Sequence, residues 1–361
     1  MLTVNKKEFE SALGKCNKVI AKKPTLEILK GINVECKDGV CKLTATDLEN
    51  RITIKLNNAV FDNDNSFVIM DVVVLSKAIK TFGDTITLEQ KDSNVVVSSG
   101  TKSIKVRYLG SNEFPDRSLL GDFDIIAQAD VNGKELESEC SKVLYGVSKD
   151  MARPILTGVC FRKNYIATSD GYLIAKIDNN FIDCDVVFIA NTVKLFGMVG
   201  NGKLSIGTYK VGSSDNYYLF EDETVSLYGM LIPGNFPDID CVIPAHREYY
   251  LKYTLNRIEL INALDSLIGT KARCVKVYDN KIAVQNIQGD DFPEYEIEIK
   301  NLKVETPFAF YPKFVRDALK NQFTTEKVLV EVNKPNQAFV ITAIGDSGKD
   351  GLFVCIPIHL G

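Results

Sequence analysis

The chain has 361 residues, which is enough for two or three domains. Hydrophobic residues make up 45% and charged residues 25%, which excludes a largely disordered chain and leaves each domain apolar material for a core. Lysine and arginine number 43 against 47 aspartates and glutamates, and the net charge of −4 argues against a protein whose whole surface is a polycation.

The first helix follows Asn5. Glu8 stands three residues on, and Phe9, Ala12, Leu13, Cys16 and Ile20 recur at helical spacing, so a capped amphipathic helix is predicted within residues 5–23. Lys37-Asp38-Gly39 reads as a hairpin turn, and Ile52, Ile54 and Leu56 alternate with polar residues as a strand does. Asp71 is placed to cap a second helix with Leu75, Ala78, Ile79 and Phe82 inward, after which Val95 with Val97 and Ile104 with Val106 resume the period of two. The series then begins again. Asn132 with Glu135 opens a helix carrying Leu136, Cys140, Val143, Leu144 and Val147, and Asn191 is placed to start a shorter one over 193–198. Asn256 with Glu259 opens a third, with Leu260, Ala263, Leu264, Leu267 and Ile268 inward; Asp279-Asn280-Lys281 reads as another turn. Pro312, at a good first-turn position, leads Phe314, Val315, Ala318 and Leu319.

Asn5, Asn132 and Asn256 lie 127 and 124 residues apart, close to a third of the chain. Other pairs follow the same interval: Glu113-Phe114-Pro115-Asp116 with Asn235-Phe236-Pro237-Asp238, and Ile28-Leu29-Lys30-Gly31 with Ile155-Leu156-Thr157-Gly158. One capping box is weak evidence, but three at near-equal spacing define an internal repeat. The expected architecture is α+β, three repeated domains over 1–120, 128–245 and 246–361, each with two helices packed on antiparallel sheet.

The repeat also shows where the charge sits. The six helical stretches carry +4 (5–23), +1 (71–82), 0 (132–149), +1 (191–198, from Lys194), 0 (256–271) and +2 (311–323, from Lys313, Arg316 and Lys320 against Asp317). Together they hold +8, leaving −12 for the remainder. At about 100° per residue, Lys7, Lys15, Lys18 and Lys22 fall opposite Phe9, Lys77 and Lys80 fall opposite Leu75, and Arg316 and Lys320 fall away from Phe314. Solvated helix faces also carry lysine, but the summed bias against an acidic remainder favours one shared basic surface that attracts phosphates without reading sequence.

Signals for catalysis or metal binding are weak. Nine cysteines are scattered without a CxxC, and Cys16, Cys140 and Cys160 lie in apolar patterns, as buried free thiols of a reducing compartment would. His246 and His359 are the only histidines. Lys6, Lys7 and Glu8 interrupt any secretory signal, and the apolar run from Phe67 to Leu75 is too short to span a membrane, so a cytoplasmic protein without membrane contact is expected. Gly345-Asp346-Ser347-Gly348 resembles the nucleophile loop of trypsin-like proteases, but it continues into Lys349-Asp350-Gly351 and reads as a turn between strands 339–343 and 352–356. Gly200-Asn201-Gly202-Lys203 leads into a strand, which is not a phosphate loop, and Asp47 and Asp170 occupy equivalent, structural places in the repeat. No catalytic residue, metal or cofactor is expected.

Met151-Ala152-Arg153-Pro154-Ile155-Leu156-Thr157-Gly158-Val159, followed by Ile166-Ala167-Thr168-Ser169-Asp170-Gly171-Tyr172-Leu173-Ile174-Ala175, resembles the central domain of the bacterial DNA polymerase III beta subunit, the sliding clamp. Pro24-Thr25-Leu26-Glu27-Ile28-Leu29 with Leu43-Thr44-Ala45-Thr46-Asp47-Leu48 resembles its first domain. Ile232-Pro233-Gly234-Asn235-Phe236-Pro237-Asp238 and the ending Val354-Cys355-Ile356-Pro357-Ile358-His359-Leu360 extend the resemblance over the whole chain. The resemblance implies a non-enzymatic processivity factor, a head-to-tail homodimer closing into a ring of six domains around double-stranded DNA. It adds Lys23 and Arg153 to the DNA-facing set of Lys7, Lys15, Lys18, Lys22, Lys77, Lys80, Lys194, Lys313, Arg316 and Lys320. It also implies a partner cleft at Leu156, Ser169, Gly171, Tyr172, Leu173, Ile174, Pro244, Val354, Ile356, Pro357 and Ile358. That cleft would take short motifs from the DNA polymerase III alpha subunit, the clamp loader and other clamp-binding proteins. Tyr172-Leu173 stand where the family often has His-Arg, and His359 stands where Arg is usual, which implies a more apolar cleft here.

Overall fold

A computed structural model describes residues 1–115, 122–209, 216–243, 251–269, 275–278, 281–284, 296–298, 308–332, 337–345 and 351–358. Every strand pairing in them is antiparallel, and six α-helices accompany the sheets, giving the α+β class expected. The helices are α1 (Lys6–Val19), α2 (Val72–Ala78), α3 (Gly133–Val143), α4 (Ala190–Val193), α5 (Arg257–Gly269) and α6 (Pro312–Asn321).

The chain gathers into two compact units, Met1–Glu137 with Lys194–Leu231, and Ser138–Val193 with Ile232–Gly361. These limits cut across the sequence repeat because the sheets run on from one copy into the next. In the first unit a 13-stranded sheet runs from Phe123–Asn132 at one edge to Val60–Phe61 at the other. Its halves join where Val225–Met230 pairs with Asn50–Leu56, Leu227 opposite Ile52. In the second unit an eight-stranded sheet joins its halves where Leu173–Asp178 pairs with Leu352–Cys355, Ile174 opposite Val354, and a four-stranded sheet accompanies it. Both joins mate strands with alternating side chains, so each continues one apolar face across a repeat boundary.

Three strand-to-helix corners repeat the same bonds. Asn5 accepts the Glu8 N–H at 3.2 Å, Asn132 the Glu135 N–H at 3.0 Å, and Asn256 the Glu259 N–H at 3.1 Å. The first helical N–H of each copy then donates to a carbonyl just ahead of the paired strand: Lys6 to Asp84, Gly133 to Gly200, and Arg257 to Glu326, at 2.8, 3.0 and 2.8 Å. The three N-caps predicted from sequence are therefore present. The reciprocal half of the box is replaced in the first copy. The Glu8 carboxylate accepts from the Asn57 and Asn58 N–H groups, while Asn5 is the strand partner of Thr85.

Phe9, Ala12, Leu13 and Cys16 are buried, as are Leu136, Cys140 and Val143, and Leu260, Ala263, Leu264 and Leu267. The helix ends depart from expectation. α1 stops at Val19, where Ile20 leaves helical backbone (ψ 130°) as its cap, so Lys22 and Lys23 lie beyond it. Asp71 precedes α2 in a left-handed conformation (φ 50°), and its carbonyl, not its side chain, takes the Val74 and Leu75 N–H groups. The fourth helix starts at Ala190 instead of Asn191, lasts one turn and is followed by a 3-10 turn at Phe196–Met198. Leu144 and Val147 lie past α3 and are half-buried.

Asp38 and Gly39 form the predicted hairpin loop, both at positive φ. Strands Val275–Tyr278 and Lys281–Val284 pair as a turn at 279–280 requires, though those two residues lie outside the described ones. Likewise Phe339–Ala343 pairs with Leu352–Cys355, while Ser347 lies outside the described residues. Gly200 precedes the strand Asn201–Tyr209, as expected.

Candidate functional site

Many of the basic side chains are exposed, and several are held by partners within the chain. On α1, Lys7 and Lys18 are exposed on the side away from the buried Phe9, and Lys22 and Lys23 are exposed in the segment after it. Lys77, at the end of α2, and Lys80, in the following 3-10 turn, are exposed, as are Lys194 after α4 and Lys313 in the first turn of α6. Lys15 differs: its ammonium donates to the Met198 carbonyl at 2.8 Å, and burial lowers its pKa, partly opposed by the charge of Asp222. Lys6, which the helical faces did not single out, donates to the Lys80 and Phe82 carbonyls at 2.9 Å and so fastens α1 to the turn after α2.

On α6 two cations are engaged by an acid of the neighbouring helix α5 and by one of α6 itself. Lys320 lies 2.7 Å from Asp265 of α5, and Arg316 reaches Asp265 at 3.4 Å and Asp317 at 2.6 Å. The Lys320 hydrogen bond, with help from Arg316, holds the Asp265 carboxyl below the usual carboxylate range. Arg153 is engaged too. Its Nε lies 3.1 Å from Asp150 and its Nη2 donates to the Asp170 carbonyl at 3.3 Å, so it braces the loop that carries the predicted cleft residues. The resemblance puts Arg153 in the DNA-facing set; in the structure its half-exposed side chain lies beside Gly171.

That loop is a built corner with a twin. Asp170 accepts the Tyr172 and Leu173 N–H groups at 2.9 and 3.0 Å, and Ser169 Oγ donates to the Leu173 carbonyl at 2.7 Å while accepting the Gly171 N–H. Asp47 accepts the Glu49 and Asn50 N–H groups, and Thr46 Oγ1 donates to the Asn50 carbonyl while accepting the Leu48 N–H. The two aspartates thus fold turns, as their equivalent places in the repeat suggested. Both corners need positive φ at the third residue, 78° at Leu48 and 95° at Gly171.

Around this corner, Leu156, Ile174 and Val354 belong to one buried apolar cluster with Cys160, Phe236 and Val340. Leu173 points to the opposite face of the sheet and packs with Phe353 and Cys355 among the side chains of α5 and α6. Tyr172 and Ile356 remain 58% and 41% exposed, and the Ile356 N–H donates to the Tyr172 carbonyl at 2.9 Å, which sets the two apolar side chains on adjoining chains. The Ile358 N–H donates to the Ala309 carbonyl at 2.7 Å, anchoring the segment with Pro357. Pro244 and His359 lie outside the described residues. Sequence reasoning missed Gln322: fully buried, it accepts from the Tyr145 hydroxyl (2.7 Å) and donates to the Lys176 carbonyl (3.0 Å), tying the end of α6 to the strand that carries Leu173 and Ile174. Its partners lie 177 and 146 residues away, beyond any local signal.

Repeated strand–helix corners on antiparallel sheets that continue through the repeat boundaries define the class: a DNA-clamp fold. Residues 1–119 match the family described as DNA polymerase III beta subunit, N-terminal domain. The beta sliding clamp of Streptococcus pneumoniae is 22% identical over 99% of this chain and 98% of its own. The DNA polymerase III beta subunit structure from Thermotoga maritima superposes with a TM-score of 0.82 at 23% identity, covering 100% of both chains. The Helicobacter pylori beta clamp bound to a DNA ligase peptide gives 0.79 at 19% identity, again over 100% of both. The chain is thus similar over nearly its whole length to bacterial beta sliding clamps, and it has their fold.

Proposed function

We propose that this chain is a non-catalytic DNA polymerase processivity factor, a head-to-tail homodimeric ring that encircles double-stranded DNA and tethers its partners through the corner at Ser169–Leu173. The observation that carries the reading is the similarity to sliding clamps over nearly the full length of the chain, with the three N-capped corners repeating at intervals of a third. Those corners support domain limits of 1–120, 128–245 and 246–361, so that two chains supply six clamp domains.

On this reading the first phosphate contacts come from the exposed Lys7, Lys18, Lys22, Lys23, Lys77, Lys80, Lys194 and Lys313. Lys15, Arg153, Arg316 and Lys320 reach DNA only by giving up the partners described above. No helix among the described residues is long and apolar enough to cross a membrane, and work on DNA places the ring in the cytoplasm.

The cleft takes an extended peptide from the DNA polymerase III alpha subunit, the clamp loader or another clamp-binding protein. Tyr172, Ile356, Pro357 and Ile358 offer apolar surface above the cluster of Leu156, Ile174 and Val354. A fluorescent peptide with leucine and phenylalanine anchors tests it. Ile356→Asp is expected to weaken binding by about 2 kcal/mol, some thirtyfold, without changing DNA retention. Unchanged peptide affinity would place the partner site elsewhere.

A further inference from the structure

The first repeat contains a cysteine pair that the clamp reading leaves unused. Cys36 is the second-last residue of the strand Ile32–Lys37 and Cys41 the second residue of the strand Val40–Thr46, so each lies one residue back from the ends that flank an exposed hairpin turn. Asp38 and Gly39 both adopt positive φ, 51° and 76°, and Lys37 pairs with Val40 across this two-residue loop. In such a hairpin the flanking pair is hydrogen-bonded and the next one is not, so Cys36 and Cys41 sit opposite each other as a non-hydrogen-bonded pair, the closest approach an antiparallel ladder offers. The Cα separation of such a pair, about 4.5 Å, lies within the range that a disulfide spans.

The sulfurs are already together. Sγ of Cys36 and Sγ of Cys41 lie 3.0 Å apart, both buried, on the core side of the hairpin. We infer that Cys36 and Cys41 form a redox-modifiable pair that closes to a cross-strand disulfide when a hydroperoxide reaches the hairpin. The hydrogen bond with Cys41 lowers the pKa of Cys36 and raises that of Cys41, which makes Cys36 the attacking sulfur and Cys41 the resolving one. The Cys36 thiolate displaces hydroxide from the peroxide oxygen and becomes a sulfenic acid. The Cys41 sulfur then attacks Cys36 Sγ, the S–O bond breaks, and the hydroxyl leaves as water with the Cys41 proton. Two thiols lose two electrons and one peroxide gains them. The product fastens the hairpin without moving either strand, because the register already sets the sulfurs face to face.

The full-length protein, treated with hydrogen peroxide under native conditions, then denatured and alkylated, tests this by peptide mapping. The expected product is a linked pair of peptides joining Cys36 to Cys41, lighter by two hydrogens, about 2 Da, and returned to alkylatable thiols by dithiothreitol. The oxidised protein should melt several degrees higher than the reduced one, a rise that Cys36→Ser abolishes. The inference is overturned if both cysteines stay fully alkylatable at peroxide doses that consume the exposed Cys241, or if each carries its own sulfinic acid.

Discussion

Leu48 and Gly171 occupy the same place in two copies of one corner, and only one of them suits it. A branched side chain at φ 78° is strained, and Leu48 gains little in return because its side chain is 54% exposed. Leu48→Gly should therefore raise stability by about 1 kcal/mol, seen as a higher denaturation midpoint. At Gly171 an added Cβ would meet Arg153 Nη1 at 2.8 Å as well as the strained φ of 95°. Gly171→Ala should cost about 1–3 kcal/mol and weaken the peptide more than the DNA. Opposite responses to these opposite substitutions would show that the two corners share one backbone requirement, and a loss of stability in Leu48→Gly would show that they do not. The paired motifs Leu43–Leu48 and Ile166–Leu173 were legible because an aspartate folding its own turn is a local matter. The bracing by Arg153 was not: the Arg–Pro context reads equally well as a DNA contact until the Asp170 carbonyl is placed beside it.

At the scale of elements, what sequence revealed and what it hid divide by distance along the chain. The starts of α1, α3 and α5 were readable from Asn5, Asn132 and Asn256, since an N-cap bonds within one turn. The end of α1 was not, because lysines 22 and 23 propagate a helix as readily as they leave one. Helical faces placed Arg316 and Lys320 on solvent, but Asp265, about 50 residues earlier, meets them across α5 and α6. That tie has a pH signature. The Asp265 pKa is depressed in the folded state, so its contribution is present above the unfolded value near 3.9 and is lost as pH falls through the lower folded value. Asp265→Asn should flatten the acid limb of stability against pH. It should also release Arg316 and Lys320 to phosphates and steepen the salt dependence of DNA binding by about one unit of slope per added contact. A steeper acid limb, or weaker DNA binding, would contradict this assignment.

For the whole molecule, the net charge of −4 conceals a division, with +8 on six helical stretches and −12 on the rest. Several of those cations are held by internal partners, Lys15 by the Met198 carbonyl and Arg316 and Lys320 by acids that the helical sums already subtract, so fewer side chains turn outward than the lysines and arginines of these stretches number. In the proposed ring, enclosure compensates for this: a closed ring stays on DNA by topology, and modest phosphate attraction suffices to centre the duplex while allowing it to slide. The same argument explains why sheets should continue through the repeat boundaries, since each join removes two exposed edges. The most direct test loads the protein onto nicked circular DNA, isolates the complex, and then cuts the circle once with a restriction enzyme. The ring predicts retention on the intact circle at moderate salt and prompt loss from the cut ends. Equal retention on circular and linear DNA would contradict it.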